Sequence, residues 1–195
     1  AGAARARLVA MLLPLALSSA HAAKKPSAED KAPPRTTETT PAEGIVEQTV
    51  DLDRDGRPDV FNTFRVRSDG QRVLSVKKAD LNRDGRVDLT AEFDEQGVMI
   101  LEKIDADFDG QIDWVDHYKS GVRVMAEHDS NFDGRTDVWT YYLPTPSGGT
   151  LIDRKERDTN NDGKIDVWER FDTAGNVIRT GRDTDGDGVM DERDQ

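Results

Sequence analysis

One nine-residue pattern recurs six times and governs everything else in this chain. It begins at Asp51 ("DLDRDGRPD"), Asp80 ("DLNRDGRVD"), Asp105 ("DADFDGQID"), Asp129 ("DSNFDGRTD"), Asp158 ("DTNNDGKID") and Asp183 ("DTDGDGVMD"). The starts are 29, 25, 24, 29 and 25 residues apart. Self-similarity at such a period marks a repeat architecture, in which each unit is one small supersecondary element supported by its neighbours. A single copy would be an ordinary turn, because Asp and Gly favour turns. Six copies in fixed register impose a common geometry.

The register has a chemical reading. Positions one, three, five and nine carry oxygen ligands in every copy. They are Asp51, Asp53, Asp55 and Asp59; Asp80, Asn82, Asp84 and Asp88; Asp105, Asp107, Asp109 and Asp113; Asp129, Asn131, Asp133 and Asp137; Asp158, Asn160, Asp162 and Asp166; and Asp183, Asp185, Asp187 and Asp191. Calcium takes six to eight oxygens at roughly 2.3–2.6 Å, whereas magnesium keeps its waters and avoids such all-protein cages. The sixth residue must turn sharply, and it is Gly in every copy. Up to six calcium ions are therefore expected.

The loops are similar to the first part of an EF-hand loop but depart from it at the end. The twelfth positions hold Asn62, Ala91, Asp116, Thr140, Glu169 and Asp194, so only Glu169 matches the closing glutamate. The loops resemble more closely the D-x-D-x-D-G-x-x-D calcium loops set between strands in integrin-type FG-GAP and VCBS repeats. Thrombospondin type 3 and dockerin modules carry related loops. The resemblance covers nine residues per copy and implies calcium, but no particular fold or partner.

Between the loops the pattern is that of strands. "VFNTF", "LTAEF", "WVDHY", "VWTYY" and "VWERF" follow the first five loops, and each ends on an aromatic. Alternation puts Phe64, Phe93, Tyr118, Tyr142 and Phe171 on one face, in a possible ladder of stacked rings. Turn signals such as "SDG" and "PTPSGG" follow, then a second run such as "VRVMAEH". The expected fold is all-β, with five antiparallel hairpins joined by the calcium loops in an open elongated meander. A closed propeller-like ring is the alternative. Trp139, Trp168 and Phe61 lie on the opposite face, where Trp139 and Trp168 are candidates for binding a sugar or a protein partner.

Residues 1–22 read as a secretory signal peptide. Arg5 and Arg7 precede the apolar run Leu8–Leu17, and "AHA" offers a cleavage site near Ala22. Ten apolar residues are too few to span a hydrocarbon layer of roughly 30 Å, so no transmembrane segment is expected in the mature chain. Residues 23–44, rich in Pro, Thr and Glu, read as a disordered or extended linker, with the repeat domain over 45–195. An exported chain of this kind belongs in a periplasmic or extracellular space.

The net charge is −12. Removing Arg5 and Arg7 leaves 25 basic against 39 acidic residues, or −14. Six calcium ions would add twelve positive charges and bring this near −2. Such acidity disfavours nucleic acid and anionic membranes as partners. There is no cysteine, and no nucleophile elbow or phosphate loop, so no catalytic role is expected. The sequence points to a calcium-stabilised structural, adhesion or interaction module of a bacterial-type envelope, its partner a protein or a glycan. The alternatives are a carbohydrate-binding accessory module and a calcium buffer or sensor.

Overall fold

The computed structural model describes residues 33–193. The signal-peptide expectation falls outside them. Thirteen strands form one antiparallel sheet in strict chain order. They are β1 (Arg35–Ala42), β2 (Ile45–Asp51), β3 (Val60–Val66), β4 (Arg72–Ala79), β5 (Leu89–Phe93), β6 (Met99–Ile104), β7 (Trp114–Lys119), β8 (Val122–His128), β9 (Val138–Pro144), β10 (Thr150–Arg157), β11 (Val167–Phe171), β12 (Val177–Arg182) and β13 (Glu192–Arg193). The sheet is open, since β1 and β13 do not meet, and no helix occurs among the described residues. The closed ring is thereby excluded.

The ordered sheet starts at Arg35, inside the segment read as linker. "RTTETTPA" pairs with β2 from Arg35↔Asp51 to Ala42↔Ile45, so there are six hairpins rather than five. Its Thr-rich stretch has the β-branched residues a strand favours, and all eight of its residues are exposed. With nothing apolar to bury, it carries no hydrophobic pattern to betray it.

One register line crosses the sheet without a break. Val50, Val60, Ala79, Leu89, Ile104, Trp114, His128, Val138, Arg157, Val167 and Arg182 are successive cross-strand partners. These residues adjoin the repeated loops, so all six aspartate loops leave from one end of the sheet and the hairpin turns from the other. A one-residue slip would flip every side chain to the other face, and the loops' fixed length prevents it.

The other end is less regular. Each of the five later hairpins contains a bulge beside its aromatic: Thr63 pairs Val76 while Phe64 pairs Leu74, and the same skip recurs at Phe93, Tyr118, Tyr142 and Phe171. The extra residues are Ser75, Ile100, Val124, Asp153 and Ile178. A bulge bends and twists the strand that carries it. The expected ladder of rings does not form. Among the described residues the one ring–ring contact is Trp114 with His128, at 4.4 Å. Tyr142 and Phe171 are instead covered by cations from the preceding strand, Arg123 at 5.5 Å and Lys155 at 5.8 Å.

A single sheet has little apolar interior. The buried hydrophobic residues are Val46, Ala79, Ala91 and Ala126, while the buried polar ones include Asp51, Asp59, Asp80, Asp88, Asp105, Asp113, Asp129, Asp137 and Asp158. All nine of these aspartates belong to the loops. Among the described residues the largest fully buried side chains are carboxylates, Asp88 and Asp129.

Candidate metal centres

The loop from Asp105 shows the common geometry. The amides of Phe108 and Gly110 donate to the two oxygens of Asp105, at 2.7 and 2.8 Å. Asp107 Oδ1 accepts from Asp109 N–H at 3.1 Å, and Asp109 Oδ1 from Gln111 N–H at 2.7 Å. Asp113 Oδ2 accepts from Ala106 N–H at 2.5 Å. Each carboxylate is thus fixed by a backbone amide, and oxygens of Asp105, Asp107 and Asp113 converge within 4.8 Å of one another. The sixth-position glycine donates to the first aspartate in every copy, from Gly56 on Asp51 to Gly188 on Asp183.

Two residues per loop have positive φ. The glycines at position six lie between 86° and 98°, an angle that suits only Gly. The fourth residues Arg54, Arg83, Phe108, Phe132 and Asn161 lie between 59° and 67°, and Gly186 takes this place in the last copy at 78°. The first range excludes side chains; the second is the left-handed well that L-residues enter at a cost of roughly 1–2 kcal/mol.

Backbone bonds tie each loop to the sheet and to the next loop. Asp113 N–H donates to Ile104 C=O at 2.9 Å, closing its own loop. Asp59, Asp88, Asp113, Asp137 and Asp166 each offer their carbonyl to the amide of the next loop's first aspartate, at 2.8–2.9 Å. The six loops therefore form one continuous hydrogen-bonded row.

In four loops the structure brings three carboxylates together, with one oxygen from each lying within 4.8 Å of the others. The groups are Asp51, Asp53 and Asp59; Asp105, Asp107 and Asp113; Asp129, Asp133 and Asp137; and Asp183, Asp185 and Asp191. Asp55, Asp109 and Asp187 stand outside these triplets. Each is held by the amide two residues on, at 2.7 Å, as Asp109 is. In the loops from Asp80 and Asp158 an asparagine occupies position three. Asn82 and Asn160 accept from the amides of Asp84 and Asp162 at 2.9 and 3.0 Å, as the aspartates do elsewhere. Asn131 does the same for Asp133 at 2.9 Å.

Three observations test whether the sites fit a cation. Asp88 is 1% exposed, yet its Oδ1 has no hydrogen-bond partner. A buried orphan carboxylate oxygen is costly unless a cation completes it. Secondly, local desolvation and the charges of Asp109, Asp113 and Asp105 push the exposed Asp107 above the ordinary aspartate range, against the pull of the Asp109 amide. Thirdly, the donor set is all oxygen and mostly carboxylate, which suits a hard cation such as calcium. The residues fit. Burial fades toward the C-terminal end, where Asp166 and Asp183 are half-buried and Asp191 is exposed. The amides of Gly188 and Thr184 there hold Asp183 and Asp191 below the usual range.

A second polar cluster lies within the sheet and was not singled out from the sequence. Asp116, 4% exposed, accepts from Trp114 Nε1 at 3.0 Å and Tyr118 OH at 3.4 Å, and pairs with Arg123 Nη2 at 3.2 Å. Glu102 pairs with it across β6 and β7. Long polar residues at position seven also link neighbouring loops: Arg86 Nη1 donates to Asp109 C=O at 3.5 Å and Lys164 Nζ to Gly186 C=O at 2.6 Å. That position is Arg, Gln or Lys in five copies, which the sequence does display.

A protein-family model described as EF hand matches residues 100–114. The match spans the loop from Asp105, but strands β6 and β7 flank it where an EF-hand has helices. No curated protein matches the chain. Among solved structures it is similar to one titled "Crystal Structure of TarM", at 10% identity and a TM-score of 0.32; the likeness covers 73% of this chain and 20% of that one. The family match and the aspartate groups together fit a calcium-binding repeat.

Proposed function

We propose that this chain is an exported, calcium-stabilised repeat module serving a structural, adhesion or protein-interaction role in a bacterial-type cell envelope. One observation carries the reading: the buried side chains of this single-layer sheet are mainly the carboxylates that would hold the metal. Calcium then acts as the missing core. The twelfth-position glutamate is absent from five of six loops, which suits the weak extracellular range of about 10⁻⁴–10⁻³ M. Such sites stay filled outside a cell and stay empty in cytosol. A sensor exposes a groove by swinging helices, and none occurs among the described residues. The module carries no chemistry of its own in this reading.

The test has two parts. Expression in a bacterial host should yield a chain cut near Ala22 and exported, and affinity capture in calcium should retain an envelope protein or glycan that chelator releases. An uncut chain in the cytoplasm overturns the export reading, and capture indifferent to chelator overturns the calcium dependence.

A further reading, a glycan-binding surface, is favoured by one arrangement. Trp139, Glu156 and Trp168 are successive cross-strand partners on β9, β10 and β11, so both indoles share a face. Phe61 falls on the same register line but far away, on β3.

A further inference from the structure

Beside the two indoles lies a feature that the loops do not explain. Met125, Tyr141, Arg154, Arg170 and Arg179 are successive cross-strand partners from β8 to β12. Partners point to one face, so three arginines stand directly opposite one another on adjacent strands. Like charges so placed destabilise a sheet. In a chain with 39 acidic residues an alternating arrangement was readily available.

Their charges are unequally satisfied. Arg154 stacks 3.5 Å from the centre of the Tyr141 ring and donates from Nε to Glu156 at 2.9 Å. Arg170 Nη2 lies 3.4 Å from Asp153. Arg179 is exposed and has no ion pair or hydrogen bond from its side chain among the described residues. Together with Trp168, Gly181 and Met190, the three arginines line a depression of about 300 Å³. Gly181 is Trp168's cross-strand partner, and a Cβ there would come within 2.4 Å of Met190 Sδ. The missing side chain lets Met190 lie against the strand and wall the depression beside the indole.

We propose that this face of β10, β11 and β12 binds an acidic saccharide, a pyranose bearing a carboxylate. The inference rests on the reading of the chain as an envelope interaction module and names its ligand class. An indole offers a flat apolar platform for the C–H face of a sugar ring. A guanidinium offers a planar fork that matches a carboxylate. Arg179 supplies the unspent fork, while Arg154 and Arg170 are held by Glu156 and Asp153, and Glu169 on the same wall is paired with Arg157. The loops at the end of the sheet repel long phosphate polymers, so a short acidic sugar suits the patch better than nucleic acid.

The experiment is calorimetric titration of the full chain in about 1 mM calcium. The probes are a galacturonic acid trisaccharide, a neutral galactose trisaccharide and inorganic phosphate. The expected result is binding of the uronate alone, weakened about tenfold by Arg179→Ala and by Trp168→Ala, and unchanged by Arg35→Ala on the far edge strand. Calcium-dependent melting of each variant shows that the sheet is intact. Equal binding of the neutral sugar, equal binding of phosphate, indifference to Arg179→Ala, or no uronate binding up to about 10 mM each overturn the proposal. If uronate fails while calcium still raises the melting temperature, the ligand assignment falls and the calcium-stabilised module stands. If calcium has no effect on melting, the module reading itself falls.

Discussion

Arg83 Nη1 lies 2.9 Å from Asp53 Oδ2, and its Nε lies 3.9 Å from Asp59 Oδ1. The fourth residue of the second loop thus reaches into the carboxylates of the first. The guanidinium occupies oxygens that a cation would need, so metal and Arg83 compete. The side chain is half-exposed, and such a pair is worth at most about 1 kcal/mol. Arg83→Ala should therefore raise calcium affinity at the first loop, by about fivefold at most. Calcium titration of wild type and variant reads this directly. A weaker first site in the variant would show that Arg83 supports the loop instead.

Asp88 gives a sharper test, because its orphan oxygen makes the sign of a mutation depend on metal. Its Oδ2 accepts from Leu81 N–H at 2.6 Å, and an asparagine oxygen can keep that bond. Asp88→Asn removes a buried charge, so in chelator it should melt higher than wild type. In calcium it should bind one ion fewer and melt lower. The crossover is the signature of a metal ligand. A variant less stable under both conditions would make Asp88 an ordinary structural residue.

Positions four and six of the loops should respond oppositely to substitution. Gly163 sits at φ 88°, and a side chain there meets no neighbour, so the cost of Gly163→Ala is backbone strain alone. It should exceed about 1 kcal/mol. Phe132 sits at 60°, and Phe132→Gly should stabilise slightly, since relief of the left-handed strain outweighs the added freedom of the unfolded chain. Melting temperatures of the two variants decide it. Equal losses would mean that the two angles are equally demanding.

That contrast also explains what the sequence could display. Gly recurs at position six because nothing else fits. Position four varies among Arg, Phe, Asn and Gly because its angle tolerates them, and so its turn is invisible in the repeat. The loop aspartates and asparagines, the strand runs and the open hairpin array follow from a nine-residue pattern repeated every 24–29 residues and from alternation of period two. The bulges at Ser75, Ile100, Val124, Asp153 and Ile178 do not, because aliphatic Ile and Val also fill ordinary strand positions, and Ser75 and Asp153 take the same place with polar side chains. They are fixed by how each hairpin meets its turn. Strand β1 was missed for a related reason, since an edge strand with both faces in water has no alternation to read. Asp116 was passed over as a failed twelfth-position ligand, although its buried bonds to Trp114 and Arg123 give it a structural place of its own.

Glu102 sets a pH dependence. Burial, then the charge of Asp116, raises it above the ordinary glutamate value of 4.5, with Arg123 and Lys77 opposing. A carboxyl raised in the folded state binds its proton more tightly there than in the unfolded chain. Stability therefore falls as pH rises from 4.5 through the folded value, and stays reduced above it. Glu102→Gln should melt higher than wild type near about pH 7, with the gap closing near about pH 4. Measuring both in chelator keeps loss of calcium at low pH out of the comparison. A gap that is constant with pH would assign the effect to packing.

The largest expected effect is that of the metal itself. At a free calcium concentration ten times Kd, each site adds about 1.4 kcal/mol through mass action. Six such sites would supply about 8 kcal/mol, comparable with the entire 5–15 kcal/mol of an ordinary domain. A sheet whose buried apolar residues are one valine and three alanines has little else in reserve. Chelation should thus unfold the chain or lower its melting temperature severely, and calcium should restore it in preference to magnesium. Loss should begin at the loop from Asp183, whose carboxylates are the least buried and whose following strand has two residues. Hydrogen exchange across a calcium titration would show protection appearing there last. If melting were the same in calcium and chelator, the backbone bonds that already hold these loops would be their full stabilisation, and the aspartates would be turn formers only.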